Sequence, residues 1–266
     1  MNPRYSSANK IYYREREAAI YDLEYGWKKD DIEFWVALAR EFGSPSLEVA
    51  CGTLRILLPV AEAGITVTGI DISPYMLTIA RDKLAHACAE TQARVTLLEA
   101  DARTMSLDQK FKLIYLPFNT FLVLTTVADQ LALFDRVRAH LAPGGVFAFD
   151  IFVPDPARLK SDLAWVSEID QVHPETGLRL QRDHVREIDP LEQTMTVHFR
   201  MREYKDDELA REWLSDLDLT FLYPRELEHL IARAGFDIVH CWGEYDRSDF
   251  WTINNPTKQI LVVRPS

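Results

Sequence analysis

The stretch that most constrains the fold is Ser46–Gly64, which reads SLEVACGTLRILLPVAEAG. Its first residues, Ser46–Ala50, form a short apolar run typical of a buried strand, and Cys51–Leu54 form a tight turn. Apolar residues then recur at helical spacing over Arg55–Glu62, which predicts a helix. A strand, a glycine-containing turn and a helix make the first unit of a nucleotide-binding α/β domain. The turn brings backbone N–H groups up to a ligand, and Gly52 lets the backbone approach closely.

An acidic residue, Glu48, precedes this turn at the end of the strand. A dinucleotide site presents amides to a pyrophosphate, and a carboxylate beside that pyrophosphate would repel it. Glu48 therefore favours a ligand that carries an ammonium group. A packing turn in some other α/β protein is the alternative interpretation of this stretch.

The stretch resembles motif I of class I S-adenosylmethionine (SAM) dependent methyltransferases, usually written (D/E)-x-G-x-G-x-G. Two positions depart from that motif, because Ala50 and Leu54 stand where the first and third glycines are usual. A side chain at Leu54 is expected to crowd either the helix–strand contact or the methionine end of the cofactor. The resemblance implies that the cofactor is bound by Glu48, Ala50, Cys51 and Gly52.

A second acid, Asp71, ends the next predicted strand, Ile65–Ile70. Ser73 and Pro74 follow as the N-cap and first residue of a helix. A carboxylate at the end of strand two can accept hydrogen bonds from both ribose hydroxyls, in a SAM site or in an NAD site. Asp71 therefore supports a nucleoside ligand without choosing between these cofactors.

A third acid, Asp101, follows the third predicted strand, Arg94–Glu99. The resemblance implies that Asp101 contacts the amino group of adenine, for which a carboxylate oxygen is a fitting partner. A solvent-exposed loop aspartate is the alternative. Other residues expected around the nucleoside are Ala102, Ile72 and Met76, and the last two have core packing as an equal alternative.

The residues ahead of motif I carry several aromatic side chains and one amphipathic helix, Asp31–Phe42. The tyrosines of the leading segment are Tyr12, Tyr13, Tyr21 and Tyr25. In class I methyltransferases a leading segment with a YD-x-x-Y-like pattern often folds over the cofactor, so the resemblance implies a lid in which Tyr21 contacts the cofactor. A helix that docks its aromatic side chains on the sheet is the alternative.

The fourth predicted strand, Phe111–Leu116, leads into a loop that reads PFNT. This loop resembles the FNS/FNT stretch of bacterial small-molecule methyltransferases, including amino-sugar N-methyltransferases, and the resemblance implies that Pro117, Phe118 and Asn119 contact the cofactor. Val123 stands where several of those enzymes have a histidine. The strand-end acid with which catechol-type enzymes hold magnesium is missing, so no metal is expected.

The second half of the chain completes the predicted sheet. A helix over Val127–Leu141 is expected to stop at the LAPGG turn, and Val146–Phe152 to form strand five. LAPGG before an apolar strand is a further resemblance to the family. Phe236–Trp242 and Gln259–Arg264 are two more strands. The resemblance implies a doubly wound, mostly parallel, seven-stranded α/β sheet of the Rossmann-like methyltransferase type.

Residues Ala164–Leu222 change to a two-residue alternation broken by turns, which predicts three or four antiparallel strands. This segment is expected to form a cap inserted between strands five and six. His198, Arg200 and Arg202 share one face of it, toward solvent or, alternatively, toward an acidic substrate group. The predicted organisation is a helical lid (1–43), a SAM-binding core (44–160 and 223–266) and an antiparallel β cap (161–222). Exposed strand edges in the cap make a homodimer reasonable.

Composition limits the classes of partner. The 266 residues carry a formal net charge of −11, which disfavours nucleic acid because phosphate binding draws on clustered lysine and arginine. The three cysteines are widely separated and lack a C-x-x-C pattern, which suggests a reduced, cytoplasmic setting and no zinc site. No apolar run has the length of a membrane span, and the polar N-terminus lacks a signal-peptide core.

These patterns predict a SAM-dependent methyltransferase that acts on a small molecule by in-line displacement and yields S-adenosylhomocysteine (SAH). An amine nitrogen is the leading acceptor, from the resemblance of the PFNT loop and cap, and an oxygen is the runner-up. A neutral amine attacks unaided, whereas a hydroxyl usually needs a base within hydrogen-bonding reach. The candidate bases, none of which stands out, are His173, His184, His198, Tyr12, Tyr21 and Tyr25.

Two rival interpretations remain at this stage. An NAD-type oxidoreductase is opposed by Glu48 and by the absence of G-x-G-x-x-G after the first strand. A non-catalytic member of the SAM fold, with a cofactor site weakened by Leu54, is separated from an enzyme by its cofactor affinity.

Overall fold

The computed structural model describes residues 14–155, 159–173 and 176–266. The predicted lid residues Tyr12 and Tyr13, and part of the predicted turn from His173 to Gly177, lie outside this range. The strands of the described chain are β1 (Ser46–Val49), β2 (Val67–Asp71), β3 (Val95–Glu99), β4 (Phe111–Leu116), β5 (Leu141–Phe152), β6 (Val166–Val172), β7 (Arg179–Asp189), β8 (Thr194–Lys205), β9 (Glu208–Thr220), β10 (Phe236–Trp242) and β11 (Lys258–Pro265).

Helices alternate with the strands in the first half of the chain. They are α1 (Glu15–Tyr25), α2 (Ile32–Phe42), α3 (Leu57–Glu62), α4 (Pro74–Ala85), α5 (Ala89–Gln92), α6 (Val127–His140) and α7 (Pro224–Arg233), with a 3-10 helix at Thr120–Val123. The predicted cap of α4 is present, because the Ser73 hydroxyl accepts a hydrogen bond from the Met76 N–H at 3.3 Å. Thr126 caps α6 in the same way through the Asp129 N–H.

Seven strands form one sheet in the order β10-β11-β5-β4-β1-β2-β3. β1 pairs in parallel with β2 on one side and with β4 on the other, so the strand order reverses at β1. β11 runs antiparallel to both β5 and β10. The predicted fold class, a doubly wound and mostly parallel seven-stranded sheet, is therefore confirmed. In such sheets ligands bind outside the carboxyl ends of the strands at the reversal point.

Both faces of the sheet are covered by apolar side chains, and β4 shows how the pleat divides them. Leu113 and Tyr115 point into one core cluster, where the Tyr115 ring stacks on Trp35 at a centroid distance of 5.7 Å. Ile114 and Leu116 point into the cluster on the other face. Successive residues of a strand face opposite sides, so β4 is buried on both faces and apolar from Leu113 to Leu116, while Lys112 near its start is exposed.

One boundary differs from the prediction, because β5 begins at Leu141 instead of Val146 and includes the LAPGG residues. Leu141 pairs with Phe111, and the register then shifts before Val146 pairs with Leu113. Gly144 has φ 74°, and a Cβ on Gly145 would lie 2.8 Å from the Phe111 carbonyl oxygen. The turn thus forms an irregular start of the strand, where two glycines allow close contact with β4.

A separate sheet of four antiparallel strands, in the order β6-β7-β8-β9, forms the predicted cap. On β8 the alternating residues Val197, Phe199 and Met201 are buried and pack against Ile20 of α1. The two-residue alternation predicted this buried face. Helix α1 therefore lies between the cap and the main sheet. It contacts α4, the helix that follows β2.

Candidate active site

A main cavity of about 300 Å³ opens at the carboxyl edge of the parallel strands. Residues that follow β1, β2, β3 and β4 line it, at the point where the strand order reverses. Most of the predicted cofactor residues line this cavity, namely Tyr21, Ala50, Gly52, Asp71, Ile72, Met76, Asp101, Ala102, Phe118 and Asn119. The other predicted residues, Glu48, Cys51 and Pro117, line a side cavity of about 30 Å³, which shares Tyr21, Gly52 and Phe118 with the main one.

The turn after β1 takes a left-handed backbone at three alternating positions, with φ 55° at Ala50, 52° at Gly52 and 69° at Leu54. This delays the helix, so α3 begins at Leu57 and not at the predicted Arg55. Leu54 is buried in the core beside Leu57 and lines neither cavity. The expected crowding at the methionine end of a cofactor is therefore not found, and Leu54 instead fills the helix–strand contact.

Cys51 has a packing role in this turn. Its N–H donates to the Ile70 carbonyl at 2.9 Å, and its side chain lies so close to Gly69 that a Cβ there would be 2.8 Å from the Cys51 sulfur. Burial raises the pKa of the Cys51 thiol well above its usual range. The thiol is thus a small apolar group packed against Gly69 of β2, and Cys51 also lines the side cavity.

Asp71 is held by two backbone N–H groups. The Gly52 N–H donates to its Oδ2 at 2.8 Å and the Ser73 N–H donates to its Oδ1 at 2.9 Å. Burial is the largest influence on the pKa of Asp71 and raises it, while these hydrogen bonds oppose the rise. Each carboxylate oxygen has a second lone pair, so the group can still accept hydrogen bonds from a ligand in the main cavity.

Glu48 is a buried carboxyl whose Oε2 accepts no hydrogen bond from a described residue. It pairs in register with Tyr115 on β4 and lines the side cavity with Arg55. Burial raises the pKa of Glu48 to about 8. The Tyr115 hydroxyl and then the Arg55 guanidinium oppose this rise only in part, and Arg55 also forms a bidentate pair with Asp31 at 2.6 and 2.8 Å. An unsatisfied buried oxygen is costly unless a ligand donor reaches it.

Asp101 is engaged by a residue that the sequence analysis did not single out. The Arg103 guanidinium donates to Asp101 Oδ2 at 2.6 Å and to Asp129 Oδ1 at 3.0 Å. This hydrogen bonding is the main cause of a lowered pKa at Asp101. Both Arg103 and Asp129 line the main cavity. Because Arg103 already holds the Asp101 carboxylate, a bound adenine would have to share it.

Asp150, a residue of β5, holds the loop after β4 through a hydrogen bond. The Phe118 N–H donates to Asp150 Oδ1 at 2.7 Å, and the Tyr245 hydroxyl donates to Oδ2 at 3.0 Å. Phe118 and Asn119 both have left-handed backbones, with φ 66° and 58°. Burial raises the pKa of Asp150 to about 6. Its signal in the sequence was a lone acid inside the apolar run FAFDIF.

Helix α1 supplies a wall of the main cavity through Tyr21 and Tyr25. The Tyr25 ring packs edge-on against Phe118 at a centroid distance of 5.2 Å. Burial raises the pKa of Tyr21, so its phenol stays protonated at neutral pH. Glu24, which precedes Tyr25, forms a buried ion pair with Arg182 of the cap at 2.8 Å. The helix is thus fastened to the cap as well as to the sheet.

The cap reaches the main cavity through Leu217 and Leu219 of β9. The cationic row of β8 does not, because its members are engaged by acids of the cap itself. Arg200 donates to Asp183 at 2.6 Å, and Arg202 donates to the same carboxylate. His198 lies 2.7 Å from Asp216, which raises its pKa. Of the alternatives for this row, a charged outer face agrees better with the structure.

The candidate bases of the cap also lie away from the main cavity. His184 lies 3.4 Å from Glu168, and neither it nor His198 is among the residues lining either cavity. Among the described residues, His, Cys, Asp and Glu side chains form no group suited to hold a metal ion. No helix in the same part of the chain is long and apolar enough to cross a membrane.

Part of the chain matches a known protein family. Residues 47–145 match the family model described as a methyltransferase domain, so the resemblance to methyltransferases is confirmed over that stretch. The matched residues lie within the Rossmann-like sheet and include the turn after β1 and the acids Asp71 and Asp101.

Individual relatives were also found. The chain is 30% identical over 141 residues to a dTDP-3-amino-3,4,6-trideoxy-alpha-D-glucopyranose N,N-dimethyltransferase of Streptomyces venezuelae, covering 50% of this chain and 56% of that protein. It is 29% identical over 127 residues to a cypemycin N-terminal methyltransferase of Streptomyces, covering 47% and 49%. The chain thus spans about half the length of the curated relatives it matches.

Among solved structures, the CcbJ methyltransferase from Streptomyces caelestis superposes with a TM-score of 0.79 at 22% identity, over 98% of this chain and 100% of that one. This likeness covers the cap as well as the sheet and concerns the fold alone.

Proposed function

We propose that this protein is a SAM-dependent methyltransferase that transfers a methyl group to an amine nitrogen of a small molecule. The observation that carries the proposal is the main cavity. It gathers residues after β1, β2 and β3 where the strand order reverses, and it adjoins the unsatisfied buried oxygen of Glu48. Two of the three predicted acids, Asp71 and Asp101, thus line the main cavity, and the third, Glu48, lines the side cavity that shares Tyr21, Gly52 and Phe118 with it.

The residues fit SAM in charge and position. Glu48 Oε2 offers a buried acceptor to the ammonium group of the methionine moiety. Asp71, already fixed by two N–H groups, would accept hydrogen bonds from the ribose hydroxyls. Ile72 and Met76 would flank the adenine, with Asp101 and Ala102 at its edge. Gly52 and Ala50 would bring the backbone of the turn to the cofactor, with Asn119 and Phe118 on the opposite side.

SAM supplies an activated methyl group on a sulfonium, and the protein has to align the acceptor and exclude water. Tyr21 and Tyr25 close the cavity from the side of α1. Among the described residues that line it there is no histidine, and burial raises the pKa of Tyr21, which makes its phenol a poor base at neutral pH. An amine that arrives deprotonated needs no such base, which supports nitrogen over oxygen.

The relatives support the same acceptor class. One is named as an N,N-dimethyltransferase of an amino sugar and another as an N-terminal methyltransferase. An O-methyltransferase on a small metabolite is the second candidate, and a weakened, non-catalytic SAM-fold protein is the third. The position of Leu54 in the core removes the main reason for the third candidate.

Several expectations about organisation stay predictions. They are the division into lid (1–43), core (44–160 and 223–266) and cap (161–222), a homodimer, a cytoplasmic location, and the absence of nucleic acid and membrane among its partners. Gel filtration with light scattering tests the dimer, and limited proteolysis tests the division, since exposed linkers are cut first.

The test of the function is calorimetric titration of SAH into the purified protein, with NAD as the control ligand. Micromolar binding of SAH without binding of NAD is expected. Asp71→Asn should weaken SAH binding at least tenfold, because an amide is a weaker acceptor for the ribose hydroxyls. Asp82→Asn, on the exposed face of α4, is the matched control and should bind SAH like the natural protein. Binding of NAD alone would overturn the proposal.

A further inference from the structure

The acceptor side of the main cavity can be separated from its nucleoside side by strand order. β2 and β4 flank β1 on opposite sides, and β3 lies beyond β2. Asp71 and Asp101 therefore stand one and two strands to one side of the turn after β1. The cap strand β9 packs on the 3-10 helix Thr120–Val123, which follows β4 on the other side. With strands spaced about 4.8 Å apart, this places the cap side roughly 10–15 Å from the adenine end.

The side chains at that second side are aliphatic. Leu217 and Leu219 come from β9, and Val123 comes from the 3-10 helix. The alternation along β9 decides this, because Asp216 and Asp218 occupy the intervening positions and face the other way. Asp216 is engaged there by His198, and Asp218 accepts from Thr196. The two β9 side chains that line the cavity are therefore uncharged.

The charges that do line the main cavity are unsuited to phosphate. Asp71, Asp101 and Asp129 face it, and in the described part of the chain the one cation among the lining residues is Arg103. Arg103 is engaged by both Asp101 and Asp129, at 2.6 and 3.0 Å. Recognition of a diphosphate draws on guanidinium or ammonium groups that are not already neutralised. The three acids outnumber this one guanidinium, so the charged lining is acidic on balance and attracts a cation, which is the form of an aliphatic amine in water.

We propose that the acceptor is an amine with an aliphatic body that lies against Leu217 and Leu219, and that it carries no phosphate group. This rests on the proposed function, because it assigns the space beside the cofactor to the acceptor. It distinguishes this protein from the relative named for a dTDP-linked sugar, whose acceptor carries a diphosphate. The acceptor amine is a cation in bulk water and would lose its proton to solvent before it enters the cavity, so that it reaches the cofactor in its neutral form.

The test uses n-propylamine, n-butylamine, n-pentylamine and n-hexylamine, titrated calorimetrically into the full chain with and without saturating SAH. O-Phosphoethanolamine is the phosphorylated comparison. Affinity should rise about fourfold for each added methylene, the increment expected for burying one methylene. Leu217→Ser and Leu219→Ser should each lower this increment to less than twofold while leaving SAH affinity unchanged. Leu214→Ser, on the exposed outer face of the same strand, should keep the full increment.

The outcomes separate the two proposals. The aliphatic acceptor site is overturned if the affinity of the natural protein does not rise with each added methylene. It is also overturned if the rise per methylene is the same in Leu217→Ser and Leu219→Ser as in the natural protein. Tighter binding of O-phosphoethanolamine than of n-propylamine overturns it as well. Failure of SAH to bind overturns the proposed function alone, because the amine series measured without SAH still reports on the aliphatic wall.

Discussion

The loop after β4 depends on Asp150, and substitution of this residue should loosen the cofactor site without any direct contact to the cofactor. Left-handed backbone costs a residue such as Phe118 about 1–2 kcal/mol, and it costs Asn119 less, because asparagine adopts this conformation more readily. A hydrogen bond to a charged group contributes about 1.5–3 kcal/mol, a similar amount. The bond from the Phe118 N–H to Asp150 is therefore large enough to decide whether the loop keeps this conformation.

Asp150→Ala removes that acceptor and leaves two buried donors without a partner, the Phe118 N–H and the Tyr245 hydroxyl. We expect SAH affinity to fall tenfold to a hundredfold and unfolding free energy to fall by about 2–6 kcal/mol. Tyr245→Phe is the matched control, because it removes the second donor and keeps the first bond. Its SAH affinity should stay within twofold of that of the natural protein.

Asp150→Asn tests the charge separately. Burial raises the pKa of Asp150 from 3.8 to about 6, so between these values the folded state binds more protons than the unfolded state. The contribution of this group to the unfolding free energy is therefore greatest below about pH 4 and is lost as pH rises through about 6. At about 1.4 kcal/mol per pKa unit, the loss is roughly 3 kcal/mol. Asp150→Asn should abolish that part of the pH dependence and still accept from Phe118.

The assays are SAH calorimetry and urea unfolding at pH 5 and pH 7.5 on the three variants and the natural protein. The reasoning is refuted if Asp150→Ala binds SAH as tightly as the natural protein while remaining folded. Equal losses of affinity in Asp150→Ala and Tyr245→Phe would also contradict it, since they would point to packing around Tyr245 instead of the loop bond.

Three other substitutions have expected outcomes. Leu54→Gly should lower the unfolding free energy by about 1–4 kcal/mol in urea melts, because lost burial outweighs relief of the left-handed backbone, and should leave SAH affinity unchanged. Arg182→Met should lower it by about 3–5 kcal/mol by leaving Glu24 buried without its partner, and adding Glu24→Gln should recover part of that loss. Arg103→Met should raise the pKa of Asp101, as measured by a carbon-13 NMR titration. Asp101 stabilises the fold above about pH 4, and this contribution is lost as pH falls through its lowered pKa. The substitution should therefore make that contribution smaller.

Structural features that depend on residues close together in the sequence were predicted from local sequence patterns. The strand, turn and helix of Ser46–Glu62 and the acids that end β1, β2 and β3 follow from apolar spacing and from glycine, so they were readable in order along the chain. Parallel strands then bring those ends to one edge, which is why Asp71 and Asp101 line the same cavity. The left-handed backbone of Leu54 was not predictable, because leucine rarely adopts it.

Contacts between distant parts of the chain were missed for a different reason. Asp150 lies 32 residues from Phe118 and 95 from Tyr245, and nothing within β5 indicates either partner. Glu24 and Arg182 are still further apart, on a helix and a strand that meet only in the folded chain. Their signal is a charged residue at a position that periodicity assigns to a buried face. Such a signal predicts a partner but not which one.

The two halves of the cavity are built in ways that give them different tolerance to substitution. Asp71 is held by the backbone of Gly52 and Ser73, so the nucleoside side depends on the path of the main chain. The proposed acceptor side depends on which side chains β9 presents at alternate positions, Leu217 and Leu219. Replacing a side chain on β9 changes that wall without altering the strand pairing, provided the register is kept. We therefore expect acceptor preference to change through the cap while the cofactor geometry stays fixed, and a charged residue at either leucine should select a different acceptor.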